Sequence, residues 1–270
     1  MDFSIKSGNP EKQRSACVVV GVYEPRKLSA QAEAIDKVSQ GYLSDIVRRG
    51  DMEGKLNSTL LLHNVPNALS DRVLLIGLGK ERDFHEKEYQ SAVRTAIKHL
   101  NETGSMEANF YLTELAVGKR DVAWRVGQAV ITAMASVYRF DRFKSKPEEV
   151  RRPLRKLTLN VARRPELAPA ERGLAQGLAI AEGIGLSKDL GNLPPNVCTP
   201  TYLAGQAVKL AKEHKLKVEI LDREAIEKLG MGSFLSVARG SRQPPKLIVL
   251  QYFGADKKTQ PVVLVGKGIT

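Results

Sequence analysis

Lys267 stands between Gly266 and Gly268, directly after the apolar run Val262 to Val265. Two flanking glycines let the backbone approach a ligand closely, and a lysine desolvated at a strand end can lose its proton and become a nitrogen ligand or a base. An ordinary solvated or structural lysine fits the same spacing. A phosphate loop does not, because the first glycine of GxxxxGK is replaced by Pro261 and no Ser or Thr follows Lys267 directly. The histidines, His63, His85, His99 and His214, are scattered and form no metal pair. Neither a nucleophile elbow nor an HExxH helix is present in the sequence. Gly77-Leu78-Gly79 follows a strand-like run, but the third glycine of a dinucleotide fingerprint is Arg82, so a tight strand-to-helix turn suffices. Cys17 and Cys198 lie far apart with no local base, as expected of small hydrophobes rather than nucleophiles.

Charge is the second chemical signal. The chain carries 42 Lys and Arg against 30 Asp and Glu, a net of +12. From 139 to 164, ten basic side chains (Arg139, Arg142, Lys144, Lys146, Arg151, Arg152, Arg155, Lys156, Arg163, Arg164) face three acidic ones, a net of +7. Such a run could release counterions from duplex DNA, and a solvated linker explains it equally well.

The elements that must position these groups alternate between strand and helix. The spacing predicts strands over Ala16 to Tyr23, Thr59 to His63, Arg72 to Leu78, Asn109 to Leu115 and Lys156 to Ala162. Between them it predicts helices over Leu28 to Val47, Glu86 to Leu100 and Val122 to Tyr138. This is an α/β pattern with a largely parallel sheet. A long helix is expected from Ala168 to Leu190. After it, three prolines between Asn192 and Pro200 exclude regular structure, and Thr199-Pro200 reads as a helix cap followed by a first-turn proline. Beyond lie an expected helix from Tyr202 to Lys215, a strand Lys217 to Leu221 and a helix Arg223 to Leu229 closed by Gly230. Two further strands, Lys246 to Tyr252 and Pro261 to Val265, complete the pattern. The expected division is 1–165 as an amino-terminal α/β domain, 166–191 as a linker helix and 192–270 as the beginning of a second α/β domain, with the chain a front portion of a longer protein.

The 270 residues are 42% hydrophobic and 27% charged, a composition that excludes a disordered or fibrous chain. No apolar run reaches the ~18 residues of a bilayer span, and the apolar run after the charged start is too short for a signal-peptide core. A reducing cytoplasm is expected, with no membrane partner.

Four ordered blocks carry a family resemblance: Asn192-Leu193-Pro194-Pro195-Asn196 with Thr199-Pro200; Gly230-Met231-Gly232 with Phe234-Leu235 and Val237; Arg239-Gly240-Ser241 with Pro244-Pro245; and Leu264 to Thr270. They resemble the leucyl aminopeptidases, also called cytosol aminopeptidases or aminopeptidase A. The first domain looks like that family's variable, macrodomain-like amino-terminal α/β domain, and a ligand pocket in 1–165 would rest on that analogy alone. The resemblance implies removal of amino-terminal residues, Leu favoured, from peptide substrates by a water activated between two divalent ions such as Mn or Zn. It makes Lys267 a metal ligand and the complete enzyme a homohexamer. The remaining ligands and the catalytic groups would lie beyond Thr270, so the 270-residue chain by itself is expected to be inactive. Some bacterial relatives double as DNA-binding regulators, which keeps the DNA reading of 139–164 open.

Overall fold

The computed structural model describes residues 1–146, 152–256 and 258–269. Arg151 and Thr270, named above, lie outside the described residues, as do Pro147, Glu148, Glu149 and Lys257. The chain divides into two compact units, Met1–Ser187 and Lys188–Thr270.

Strand β2 (Val18–Glu24) forms the centre of the first unit because both its faces are apolar. Val19 joins one core with Leu74, Ile76, Val93 and Phe110, while Val18, Val20 and Val22 join a second core with Ile35, Leu43 and Leu75. A period of two thus feeds two cores from one strand. Around it run β1 (Asp2–Ser7), β3 (Lys27–Leu28), β4 (Thr59–His63), β5 (Arg72–Lys80), β6 (Glu107–Phe110) and β7 (Lys156–Val161). The sheet order is β1-β7-β6-β2-β5-β4, with β3 beside β2. Pairing is parallel except at β4/β5 and β2/β3.

Helices α1 (Ala30–Val38) and α2 (Tyr42–Arg49) cover one face; α3 (Glu86–Glu102) and α4 (Val122–Val137) cover the other. Three of the four begin where the sequence supplies a side-chain acceptor, and α2 follows Gly41 without a side-chain cap. Ser29 accepts from the Ala32 amide at 3.3 Å, and Asp121 accepts from the Trp124 amide at 2.8 Å. The Glu88 carboxylate accepts from the His85 amide at 3.1 Å, half of a capping box. The predicted single helix from Leu28 to Val47 is broken, because Gln40 (φ 57) and Gly41 (φ 86) take left-handed backbone between α1 and α2. The predicted strand Asn109 to Leu115 is also shortened: β6 ends at Phe110, and the chain folds into a 3-10 turn over Leu112–Glu114.

Helix α5 (Leu167–Asn192) contains the division between the units. Its early part packs on α4 through glycines. A Cβ on Gly173 would sit 2.2 Å from the Ala123 carbonyl oxygen, and one on Gly177 would sit 2.8 Å from that of Gly127.

The second unit contains α6 (Pro200–His214), β8 (Lys217–Leu221), α7 (Arg223–Lys228), α8 (Gly232–Ala238) and β9 (Leu247–Gln251). Strands β8 and β9 pair antiparallel. The Thr199 hydroxyl accepts from the Tyr202 amide at 3.2 Å, and Gly230 (φ 69) follows α7, as the sequence requires at both places. The predicted strand Pro261 to Val265 does not form. A strand needs a neighbour to complete its ladder, and this run has no pairing; Val262, Leu264 and Val265 are 90%, 92% and 93% exposed. Among the described residues, no helix is long and apolar enough to cross a membrane.

Candidate functional site

Three of the four blocks that carry the motif pattern lie at or beside element ends, and the fourth, from Leu264, lies in no regular element over its described residues. The three-proline run turns at Pro194, whose carbonyl accepts from the Val197 and Cys198 amides, both at 2.9 Å, and α6 starts directly afterwards. The Ser241 amide donates to the Ala238 carbonyl at 3.1 Å, closing α8. Lys267 is exposed and lies in no regular element, so the strand end expected to present it is not formed. Among the described residues, no group of three or more His, Cys, Asp or Glu could hold a metal ion. His63 ends β4, His85 caps α3, His99 lies within α3 and His214 ends α6, which separates all four.

Topology divides the basic segment. Lys156 is the first residue of β7, aligned with Asp2 of β1 and Glu107 of β6, so it marks the amino-terminal edge of the sheet. Arg152 and Arg155 immediately precede it, and the Arg155 amide donates to the Met106 carbonyl at 2.8 Å. Arg139, Arg142, Lys144 and Lys146 follow α4, the crossover that brings the chain back towards this edge. Arg163 and Arg164 follow the other end of β7, about 20 Å away at the usual rise of a strand. The nine of these residues that are described therefore make no single patch. Arg139 and Lys144 also pair with Asp141, at 3.1 and 2.8 Å, and these pairs hold its carboxyl below the usual carboxylate range.

Gly77 serves packing. A Cβ there would lie 1.9 Å from the Lys55 carbonyl oxygen, so the glycine admits the loop before β4, and β5 continues to Lys80. Cys17 is fully enclosed, and burial pushes its thiol up to about 12; Cys198 is half-buried.

One cluster is not legible in the sequence. At the carboxyl ends of the strands, β2 leads to α1 on one face and β6 leads to α4 on the other; in parallel sheets this reversal opens a crevice. Here polar side chains occupy it. Gln31 Nε2 donates to Glu114 Oε2 at 2.7 Å, and Arg125 Nη1 donates to the carbonyl oxygens of Leu115 and Glu114 at 2.6 and 3.4 Å. The three residues come from α1, the 3-10 turn and α4, and no local spacing links them.

Two family models match in order: the cytosol aminopeptidase family N-terminal domain over residues 19–147 and the cytosol aminopeptidase family catalytic domain over 185–270. The chain belongs to the cytosol aminopeptidase family. It is 68% identical over 270 residues to the probable cytosol aminopeptidase of Dechloromonas aromatica, covering 100% of this chain and 54% of that protein. It is 54% identical over 272 residues to the cytosol aminopeptidase of Vibrio cholerae, again covering 100% and 54%. The chain thus spans about half the length of the curated relatives it matches. Its fold resembles that of a tomato leucine aminopeptidase mutant, with a TM-score of 0.75 at 20% identity over 95% of this chain and 52% of that one. It also resembles the bottromycin maturation enzyme BotP in complex with Mn, with a TM-score of 0.69 at 23% identity over 90% and 46%. These fold likenesses agree with the mixed α/β architecture expected from the alternating strands and helices.

Proposed function

We propose that this cytosol aminopeptidase chain supplies the amino-terminal α/β domain, a linker helix over 166–191 and the opening part of the catalytic domain of an enzyme that releases amino-terminal residues, Leu favoured, from peptides. The observation that carries the reading is the ordered pair of family matches, 19–147 and 185–270. The complete enzyme would be a cytoplasmic homohexamer using two divalent ions, Mn or Zn. A metal ion supplies charge stabilisation and water activation in such hydrolyses, but the described residues of this chain do not fit a two-ion centre. Lys267 is exposed and no metal-holding group of His, Cys, Asp or Glu is present among them. Lys267 is accordingly read as one ligand of a centre that needs others, and no hydrolytic step is assigned to this chain's residues. The test is hydrolysis of leucine p-nitroanilide by the purified 270-residue chain with manganese and with zinc, beside the Vibrio cholerae enzyme. The expected result is no turnover by the chain; turnover near that of the comparison enzyme would overturn the inactivity.

A second reading is duplex DNA binding along the amino-terminal edge of the sheet. The juxtaposition of Arg152, Arg155 and Lys156 there favours it. Anisotropy titrations of a labelled duplex at several salt concentrations should show log affinity falling with log salt, and a shallower slope in the triple alanine variant of those residues. An Arg163/Arg164 double alanine variant should keep the parent slope. Absence of binding at low salt removes this reading.

A further inference from the structure

The second unit holds an unused strand and an unused sheet edge. Among the described residues β8 and β9 pair with each other and with no third strand, so each keeps a free edge, and a two-stranded ribbon is marginal until another strand joins it. Val262, Val263, Leu264 and Val265 are four consecutive apolar side chains, all exposed, on backbone that forms no ladder. Their composition is that of a strand enclosed on both faces. We propose that the run 261–265 of one chain adds as a third strand to the free edge of β8 in a second copy, which returns the same contact and closes a two-fold dimer.

Charge selects the edge. The run is flanked by Lys258 and Lys267, both exposed, with no acidic residue between them. Strand β8 carries Glu219 and leads into Asp222 and Glu224, and all three are exposed. Lys217 begins that strand, and Arg223 pairs with Glu227 at 4.0 Å, so acidic side chains prevail along the rest of β8 and just beyond it. Strand β9 follows Lys246 and contains no acidic residue. The basic-flanked run therefore finds no charge match on the strand it follows in its own chain, and finds one on β8. The backbone supplies the rest: unpaired N–H and C=O groups on a sheet edge are a template for a strand from another chain. A contact given and returned by the same two surfaces closes at two chains rather than extending into a fibre.

The test is sedimentation equilibrium of the purified 270-residue chain over a concentration series, with amide exchange followed in parallel. The mass should pass from one chain to two as concentration rises, and exchange at 261–265 and along β8 should slow over the same range. A Val263→Pro/Leu264→Pro double variant stays apolar but lacks two successive amides, one of which must face the partner because neighbouring residues of a strand bond to opposite sides. It should remain at one chain mass, and since the run lies in no regular element the rest of the fold is untouched. Glu219→Lys/Glu224→Lys should weaken the dimer several-fold, and adding Lys258→Glu/Lys267→Glu to that chain should restore it. Leu69→Gln, at an exposed apolar site of the first unit, should dimerise like the parent. One chain mass at every concentration, masses rising past two without limit, a dimeric proline variant, or protection at 261–265 that is independent of concentration would overturn the proposal.

Discussion

Cys17 and Cys198 are alike in sequence terms, each an isolated thiol without a nearby base, and the fold separates them by burial. Cys17 lies in the central core with its thiol pushed up to about 12, so the thiolate that reacts with disulfide reagents is suppressed and access is closed. Cys198 sits in the turn before α6 and is half-buried. Titration of the native chain with Ellman's reagent near pH 8 should therefore give one fast thiol, and two after denaturation. Replacing Cys198 by Ser should abolish the fast phase; a fast phase that survives would mean that Cys17 is open to reagent. Glu114 belongs to the same scale: burial, chiefly, raises its proton affinity, Glu166 acts the same way, and Gln31 and Arg125 oppose them, a balance set by the fold.

Of the helix starts, Thr199-Pro200 was legible in the sequence, whereas the helix expected from Leu28 begins after the Ser29 cap. Ser29, Asp121 and Thr199 each precede a helix and accept from an amide three residues on, which is local chemistry and follows from residue type. Ser29→Ala should cost about 1 kcal/mol in urea denaturation. Helix ends and breaks were marked less clearly: the left-handed backbone at Gln40 and Gly41 divides a pattern that reads as one helix, because apolar spacing continues across the break. Strand β1 was overlooked although Phe3 and Ile5 alternate with polar residues; an edge strand buries too little to give a strong signal. The glycines of α4 and α5 belong at this scale too. Gly173→Val would drive a side chain into the Ala123 carbonyl, so it should destabilise by about 3 kcal/mol, against little effect for Gly183→Ala, where nothing lies within 4 Å.

The first unit has a core on each face of its sheet, whereas the enclosed hydrophobic residues among the described part of the second reduce to Leu193, Ala204, Ala207, Ala211 and Ile226. Large apolar side chains stay exposed there, including Tyr252, Phe253 and the run Val262 to Val265. Amide exchange should accordingly be slowest in β2 and β5 and fast through 188–270. The chain should bind a hydrophobic dye such as ANS, and a Val262→Asp/Leu264→Asp double variant should bind clearly less with an unchanged far-UV spectrum. Equal dye binding by the variant would place the exposed surface elsewhere.

Sequence by itself determined the alternation of strand and helix, the Thr199-Pro200 helix start, the closing Gly230 and the ordered motif blocks that led to the cytosol aminopeptidase family, because these depend on residue type and near spacing. Tertiary structure decided what depends on distant segments meeting. It ordered the strands as β1-β7-β6-β2-β5-β4, put Arg163 and Arg164 at the opposite edge from Lys156, and left Pro261 to Val265 without a pairing partner. It also brought Gln31, Glu114 and Arg125 together at the reversal of the sheet. A ladder partner or a desolvated carboxyl is a property of the folded neighbourhood, and that neighbourhood is set by the crossing of the chain at β2.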